Sequence, residues 1–470
     1  MKTSFAFTSR LGRLALASTA AAALAACASA PQFAQPDANF EGRVSVVETP
    51  VVYAGSTVKL AGSNFKPGQQ VQFFYEGQSI SGSPVTADAE GKFTVQTAIP
   101  AQAAPGRHPV VVSVTDPAAA LVYPLKVSPN VPLSGAERFE VQTEKLVPGL
   151  YQSAYSAKNN TVFVTSAVGR PPVTRSELVK LNADTLQIEK RVSPAEAPAR
   201  RGRDGTAQPG GLFAVYGVGV DDANGNVWVT VTRQNTVAVY RQSDLALVKQ
   251  FEPGAASHAR DVVIDERHGK AFISAARSPN VEVFDTKTLQ KTASIVLESG
   301  VRGPAAQPFA TMSLALDAAS NQLFVVSAGG EVAVINTATN AVEKVLPVKD
   351  AFSASGVAYD AATGRLFVAA QGSDNVVILD AKSGEVLQNV LVGAGALNVA
   401  FDPVKRLAYV SNRGSGTLTV LDVDGNIVAN LDNKPLPNHV SVGPNGVIYA
   451  VNKGPADHED SDNIKRIQPK

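Results

Sequence analysis

A single cysteine, one tryptophan and two methionines among 470 residues leave little soft or redox-active chemistry to work with. One cysteine closes no intrachain disulfide, and zinc-thiolate sites, iron–sulfur clusters and covalently held c-type haem all need more than one. Stability has to come from burial. Charge of either sign is not in excess: 42 Lys and Arg stand against 41 Asp and Glu, so net charge gives no reason to expect nucleic acid as a partner. No apolar run reaches the length of a membrane-spanning helix. Missing too are G-x-S-x-G, H-E-x-x-H, a phosphate loop and C-x-x-C-H, and with them the usual support for hydrolase, zincin, nucleotidase and cytochrome functions. No cofactor is expected.

What is present begins with a segment to be processed. Residues 1–27 carry Lys2, Arg10 and Arg13 without an acidic residue, then an apolar stretch from Leu14 to Ala26 broken only by Ser18 and Thr19, the pattern of a secretory signal. Its end, Leu24-Ala25-Ala26-Cys27, resembles the lipobox of bacterial lipoproteins, which implies that Cys27 is diacylated and becomes the new amino terminus. Several acyl chains, at about 0.8 kcal/mol per buried methylene, hold far more firmly than one myristoyl group. Ala28 stands where an Asp would imply inner-membrane retention, so the expected place is the cell envelope, lipid-anchored at the outer membrane. Cleavage takes three of the 42 basic residues, leaving 39 against 41 acidic and a formal charge of −2.

Residues 28–42, rich in Ala, Pro and Gln, read as a tether. Between 43 and 130, seven short runs of strand character (44–47, 57–61, 71–75, 79–81, 93–96, 109–114 and 122–127) are punctuated by Gly and Pro, which favours a small β-sandwich. Gly62-Ser63-Asn64-Phe65-Lys66-Pro67-Gly68, Ala87-Asp88-Ala89-Glu90-Gly91-Lys92-Phe93 and Pro105-Gly106-Arg107-His108 resemble the Ig-like modules of bacterial envelope proteins. That resemblance implies a spacer or docking module and no catalytic residue.

The remainder, 137–470, repeats. An aromatic flanked by small apolar residues opens a strand at Phe163, Trp228, Phe272, Phe324, Phe367, Tyr409 and Tyr449, at spacings of 65, 44, 52, 43, 42 and 40 residues. This is the period of four-stranded propeller blades, with two insertions. In the fifth unit, strands a to d fall at 356–359, 366–370, 375–379 and 386–392. Ala154, Gly219, Val263, Ala315, Ala358, Ala400 and Ser441 share one position of strand a, mostly small as expected near the axis. The last unit lacks a fourth strand, which Phe139–Lys145 can supply from the other end of the repeat region, removing a free edge. The fold class expected is therefore all-β: a seven-bladed β-propeller preceded by a small Ig-like β-sandwich.

Tyr409-Val410-Ser411-Asn412, with degenerate copies Phe163-Val164-Thr165-Ser166 and Tyr449-Ala450-Val451-Asn452, resembles the YVTN repeat of the YncE-like seven-bladed propellers. The resemblance implies architecture; its relatives include binding proteins, surface-layer proteins and propeller portions of redox enzymes.

Function is sought where the loops between strands b and c and the links between blades meet, since both insertions fall on that face: 193–211 with Arg200, Arg201 and Arg203, and 298–309 with Arg302. The b–c loops there offer Arg170, Arg233, Arg277, Arg413 and Lys453, and the starts of strand a offer Gln152, Arg260, Asp261, Asn398 and His439. Guanidinium groups grip carboxylates and phosphates bidentately, so this set fits an anionic small ligand. His108 and His268 fall in expected turns, and the acidic run 457–462 is expected as a solvated loop rather than a metal site. The expectation is a non-enzymatic envelope lipoprotein binding an anionic small molecule, or an outer-membrane receptor, on the propeller face. Alternatives are a lactonase-like or lyase-like enzyme using Asp261 and His439, and a structural or adhesive surface protein. If Cys27 carries the lipid, Cys27→Ser moves the protein from membrane to soluble fractions; unchanged membrane retention on fractionation contradicts the lipobox.

Overall fold

The computed structural model describes Phe33 and residues 35–201, 205–303, 307–455 and 458–470. The expected signal segment, Cys27, residues 28–32 and 34 of the tether, Arg203 and Asp457 lie outside the described residues.

Two sheets form the amino-terminal sandwich. One holds Arg43–Val47, Thr57–Ser63 and Phe93–Ala98; the other orders Gln78–Ser79, Gln70–Tyr75, Gly106–Thr115 and Ala119–Val127, with Val85–Thr86 also on Gln70–Tyr75. The period-2 alternation drives this. Val58 and Leu60 from one sheet meet Val71, Phe73 and Val112 from the other, all buried, while Lys59 and Gln72 between them turn outward. Phe65 and Phe73 set their rings edge-on to Phe93 at 4.9 and 6.0 Å. His108 corrects the expectation of a turn: it lies inside Gly106–Thr115. Its Nδ1 pairs with the Tyr75 hydroxyl at 3.0 Å and its Nε2 with the Ala104 carbonyl at 2.9 Å, so two local partners hold it in the strand.

Seven four-stranded antiparallel sheets follow. In the fifth, Ala354–Asp360, Arg365–Ala370, Asn375–Asp380 and Val386–Leu391 pair in chain order. Strand a of each sheet contacts strand a of the next, and the seventh returns to the first, so the ring is closed. The repeat's aromatic is fully buried in every blade. It faces the small residue of strand a directly: Ala154 pairs with Phe163, Gly219 with Trp228, Val263 with Phe272, Ala315 with Phe324, Ala358 with Phe367, Ala400 with Tyr409 and Ser441 with Tyr449. A large ring beside a small residue gives each blade the taper that a radial array needs. Each aromatic also buries roughly 150–250 Å² of surface. At Gly219 a Cβ would sit 2.9 Å from the Val262 carbonyl oxygen of the next blade, which leaves glycine as the residue that fits.

The face carrying the a–b and c–d turns is tied between blades. Arg406 at the start of one blade's strand b grips the buried Asp360 of the preceding blade through two 2.6 Å hydrogen bonds. Lys270 reaches the c–d turn of the next blade, donating to the Thr337 carbonyl at 2.7 Å.

Closure is made by Phe139–Lys145, antiparallel to Asn463–Pro469 in a register running from Asn463 opposite Lys145 to Pro469 opposite Phe139. Phe139 is buried against Tyr409, ring centroids 6.5 Å apart, within a cluster that includes Ile448 and Ile467. Phe139→Ala should cost about 3–5 kcal/mol and deletion of Phe139–Lys145 more, both read as a lowered thermal midpoint. A deletion variant melting at the wild-type temperature contradicts this closure.

Candidate functional site

Strand a begins with a register irregularity in six of the seven blades, as between Leu150 and Ser153 or Ala259 and Val262. A bulge breaks the in–out alternation, so consecutive residues can both be turned toward the axis. The result is two stacked tiers.

The lower tier holds the position two residues ahead of the small core residue: Gln152, Gly217, Asp261, Ser313, Gly356, Asn398 and His439. Inner edges of seven strands leave backbone N–H groups without a sheet partner. Four side chains of this tier answer that need in the following blade. Gln152 Oε1 accepts from Val218 N at 3.1 Å, Asp261 Oδ2 from Leu314 N at 3.1 Å, and Asn398 Oδ1 from Val440 N at 2.9 Å. His439 Nδ1 accepts from Ser153 N at 3.4 Å across the closing junction, which leaves its ring proton on Nε2. Elsewhere the backbones themselves approach: a Cβ on Gly217 would lie 2.3 Å from the Arg260 carbonyl oxygen, and one on Gly356 2.9 Å from Asn398 Cα. These four polar residues, expected at the ligand, thus have acceptor atoms engaged in joining blades; Gln152, Asn398 and His439 also line the cavity at the axis, and Asp261 does not. Asp261 is buried, and that burial raises its carboxyl above the usual range against the pull of Leu314 N, the Arg260 charge, Val262 N and Gln152.

The upper tier, one residue earlier, brings Tyr151, Tyr216, Arg260, Met312, Leu397 and Asn438 to the wall of a cavity of about 290 Å³ at the axis. From the b–c loops come Arg233, Arg277 and Arg413, so four guanidiniums line one space and no carboxylate does. Among the described residues none of the four takes part in an ion pair. Arg260 Nε is buried without a hydrogen-bond partner, as is the Tyr216 hydroxyl. Arg413 donates to Asn438 Oδ1, whose Nδ2 donates to the Tyr151 carbonyl at 2.6 Å. Tyr151 and Tyr216 meet edge to face at 4.6 Å. His258, also on the wall, is held below its ordinary pKa by burial and then by Arg277, Arg233 and Arg260.

Lys453 stands behind this wall. Its Nζ lies 4.1 Å over the Tyr151 ring and donates to the Ala167 carbonyl at 3.1 Å. Burial, then the Arg413 charge, pushes it down to about 8. Of the five expected cations, then, Arg233, Arg277 and Arg413 reach the cavity, Lys453 adjoins it, and Arg170 is exposed away from it. Arg302 folds back on its own loop, donating to the Ser299 carbonyl, while Arg200–Arg201 pairs with Ala207–Gln208 in a small hairpin. The acidic run is solvated at His458, Glu459 and Asp460 as expected, but Asp462 departs from that: it is buried, and its Oδ1 accepts from Gly149 N at 2.8 Å and Leu150 N at 3.3 Å. Among the described residues no three His, Cys, Asp or Glu could jointly hold a metal ion. Reading the sequence missed Tyr151, Tyr216 and Asn438 as wall residues, because strict alternation would send the residue before an axial one away from the axis.

Seven closed four-stranded sheets around an axial, cation-lined funnel define a seven-bladed β-propeller. No family model matches the chain. Its sequence is similar to the uncharacterized protein YncE of Salmonella typhimurium, 23% identical over 311 residues, which is 63% of this chain and 80% of that protein. The Salmonella typhi counterpart is 22% identical over the same shares. Among solved structures, the hydrazine synthase of Kuenenia stuttgartiensis superposes with a TM-score of 0.52 at 17% identity, covering 65% of this chain and 93% of that one. At such identity the likeness shows the fold alone.

The His439 ring is pushed down to about 3 by burial, with Arg260 adding to the effect. A base whose folded pKa is depressed gives stability that is complete above the unfolded value and lost as pH falls, here through the window from 6.5 toward 3. His439→Gln keeps an acceptor that does not titrate, so the acid limb of stability should flatten across that window in melts taken against pH. A limb as steep as in the wild type contradicts the assignment.

Proposed function

We propose that this protein is a non-enzymatic envelope lipoprotein whose propeller funnel binds a small anion with more than one acidic group. The observation that carries the reading is the convergence of Arg233, Arg260, Arg277 and Arg413 on one cavity without a carboxylate in its wall. Four like charges in a confined, partly dry space repel one another, and a multivalent anion relieves that repulsion while accepting the unused donors. The cavity, about 290 Å³, lies at the small end of ligand sites, roughly 300–1,000 Å³, which suits a di- or tricarboxylate or a compact phosphate. Asp261 and His439 would be the acid–base pair of a propeller enzyme, but both have acceptors occupied by backbone N–H groups, and this favours capture over catalysis. In this reading Cys27 anchors the chain to the outer membrane, the sandwich is an Ig-like docking module, and an outer-membrane receptor is the macromolecular partner.

Citrate is a suitable probe by titration calorimetry. Arg233 and Arg277 are exposed and outside any ion pair among the described residues, so Arg233→Ala or Arg277→Ala should weaken binding by about 1.5–3 kcal/mol per lost charge-assisted bond while leaving the melting temperature nearly unchanged. Affinity should also fall as salt rises from 0.05 to 0.15 M in order-of-magnitude keeping with screening of exposed charge. Wild-type affinity in both variants, across carboxylate and phosphate probes, would sink the proposal.

A further inference from the structure

The sandwich is tied to the propeller by more than its linker. Lys126, on its strand Ala119–Val127, sends Nζ to Asp374 Oδ1 at 2.7 Å and to the Gln371 carbonyl at 2.9 Å, both in the b–c loop of the fifth blade. Arg107, on the adjoining sandwich strand, lies over the Phe352 ring at 4.8 Å. Behind them, Ser134 and Asn430 exchange two backbone hydrogen bonds of 3.0 Å, fixing the linker to the sixth blade.

Asp374 is itself buried, and its Oδ1 also accepts from Gly395 N at 2.7 Å. The Gly395 carbonyl accepts from Arg413 N at 2.9 Å, and the Arg413 guanidinium donates to Asn438 in the funnel wall. An unbroken run of hydrogen bonds therefore joins a lysine of the sandwich to a guanidinium of the anion site. Geometry reinforces it, for Arg413 and Gln371 line both the funnel and the cleft between sandwich and propeller. Asp374 Oδ2 has no partner, which makes Lys126 the one charge that compensates this carboxylate among the described residues.

We infer that Lys126 is a positioning residue for Arg413, so that docking of the sandwich on blades five and six and anion binding in the funnel are coupled. The coupling rests on the proposed anion site; the positioning does not. Coupling through a contiguous network needs direct measurement, and if it exists it is reciprocal.

Lys126→Met strands a buried carboxylate and loosens its hold on Gly395. The double variant Lys126→Met with Asp374→Asn removes both charges, while an amide oxygen at 374 can still accept from Gly395. On the full mature chain, Lys126→Met should speed hydrogen exchange over residues 393–396 and 411–414, and raise the Kd for citrate, each by about three- to thirtyfold. The double variant should return toward wild type in both. Wild-type exchange in Lys126→Met overturns the positioning role, and accelerated exchange with unaltered citrate affinity overturns the coupling. If the wild type binds no citrate, phosphate or other carboxylate, the anion site and the coupling fail together, and exchange still decides the role of Lys126. Should Lys126→Met not fold, the double variant compared with Asp374→Asn alone gives the same decision.

Discussion

Seven strands converging on one axis leave their inner-edge N–H groups without a ladder partner, and the middle of the molecule is organised around satisfying them. A buried N–H without an acceptor costs about as much as a lost hydrogen bond. The neighbouring blade supplies the acceptor at four junctions, while Val262 N finds Asp261 Oδ1 of its own strand at 3.1 Å. Side-chain acceptors at Gln152, Asp261, Asn398 and His439 bridge the wider gaps, and the narrower ones close to backbone contact at Gly217 and Gly356. One position of the repeat thus holds a polar acceptor in four blades and glycine in two for a single reason, while Ser313 in the fourth blade makes no such bond. Its chemistry is mechanical, although its residues are the kinds that catalytic sites employ.

This separation explains what could be read from sequence and what could not. Register along strand a and strand b was legible because both obey a volume rule: the aromatic must meet a small residue or the blade does not taper. Even the exception, Val263, pairs with Phe272 in the common register. The closing strand was legible for a related reason, since a three-stranded last blade leaves an edge that only a distant segment can cover. Polar residues near the axis obey no such rule. Asp261 as an acid and Asp261 as a blade-to-blade acceptor look identical in sequence, and Leu314 N, the group that decides between them, lies 53 residues away. Tyr151 escaped because a bulge reverses the side to which a strand residue points, and Tyr216 because it lies ahead of the paired strand Val218–Asp221, where alternation gives no guide. Asp462 escaped similarly: a run of acids suggests solvent, yet one member caps the start of the first blade.

The cation-lined cavity begins where the mechanical tier ends. Cations at Arg233, Arg277 and Arg413 come from loops, which bear no part of the ring's closure, and Arg260 comes from the bulge directly above the acceptor tier. The lower tier tolerates no net charge beyond Asp261, whose carboxyl is pushed up by burial, and a neutral His439 is consistent with that constraint. The upper tier concentrates positive charge that the protein does not neutralise. Retaining unpaired guanidiniums costs stability, and a chain free to vary at loop positions has no structural need of them. Their convergence on one cavity is the observation on which the proposed anion binding rests.

Arg413 is the exception among the loop cations, because it is not free. Its backbone N–H is fixed to Gly395 and its guanidinium to Asn438, whereas Arg233 and Arg277 extend into solvent at the rim. A hydrogen-bonded cation on the side of blades six and seven thus faces exposed ones on blades two and three across the cavity. The side of Arg413 is the one on which the sandwich rests. In the proposed coupling, preorganising a single charge through a second domain lowers the ordering cost of binding at that contact only. In that coupling, affinity and domain docking share the hydrogen bonds that run from Asp374 through Gly395 to Arg413.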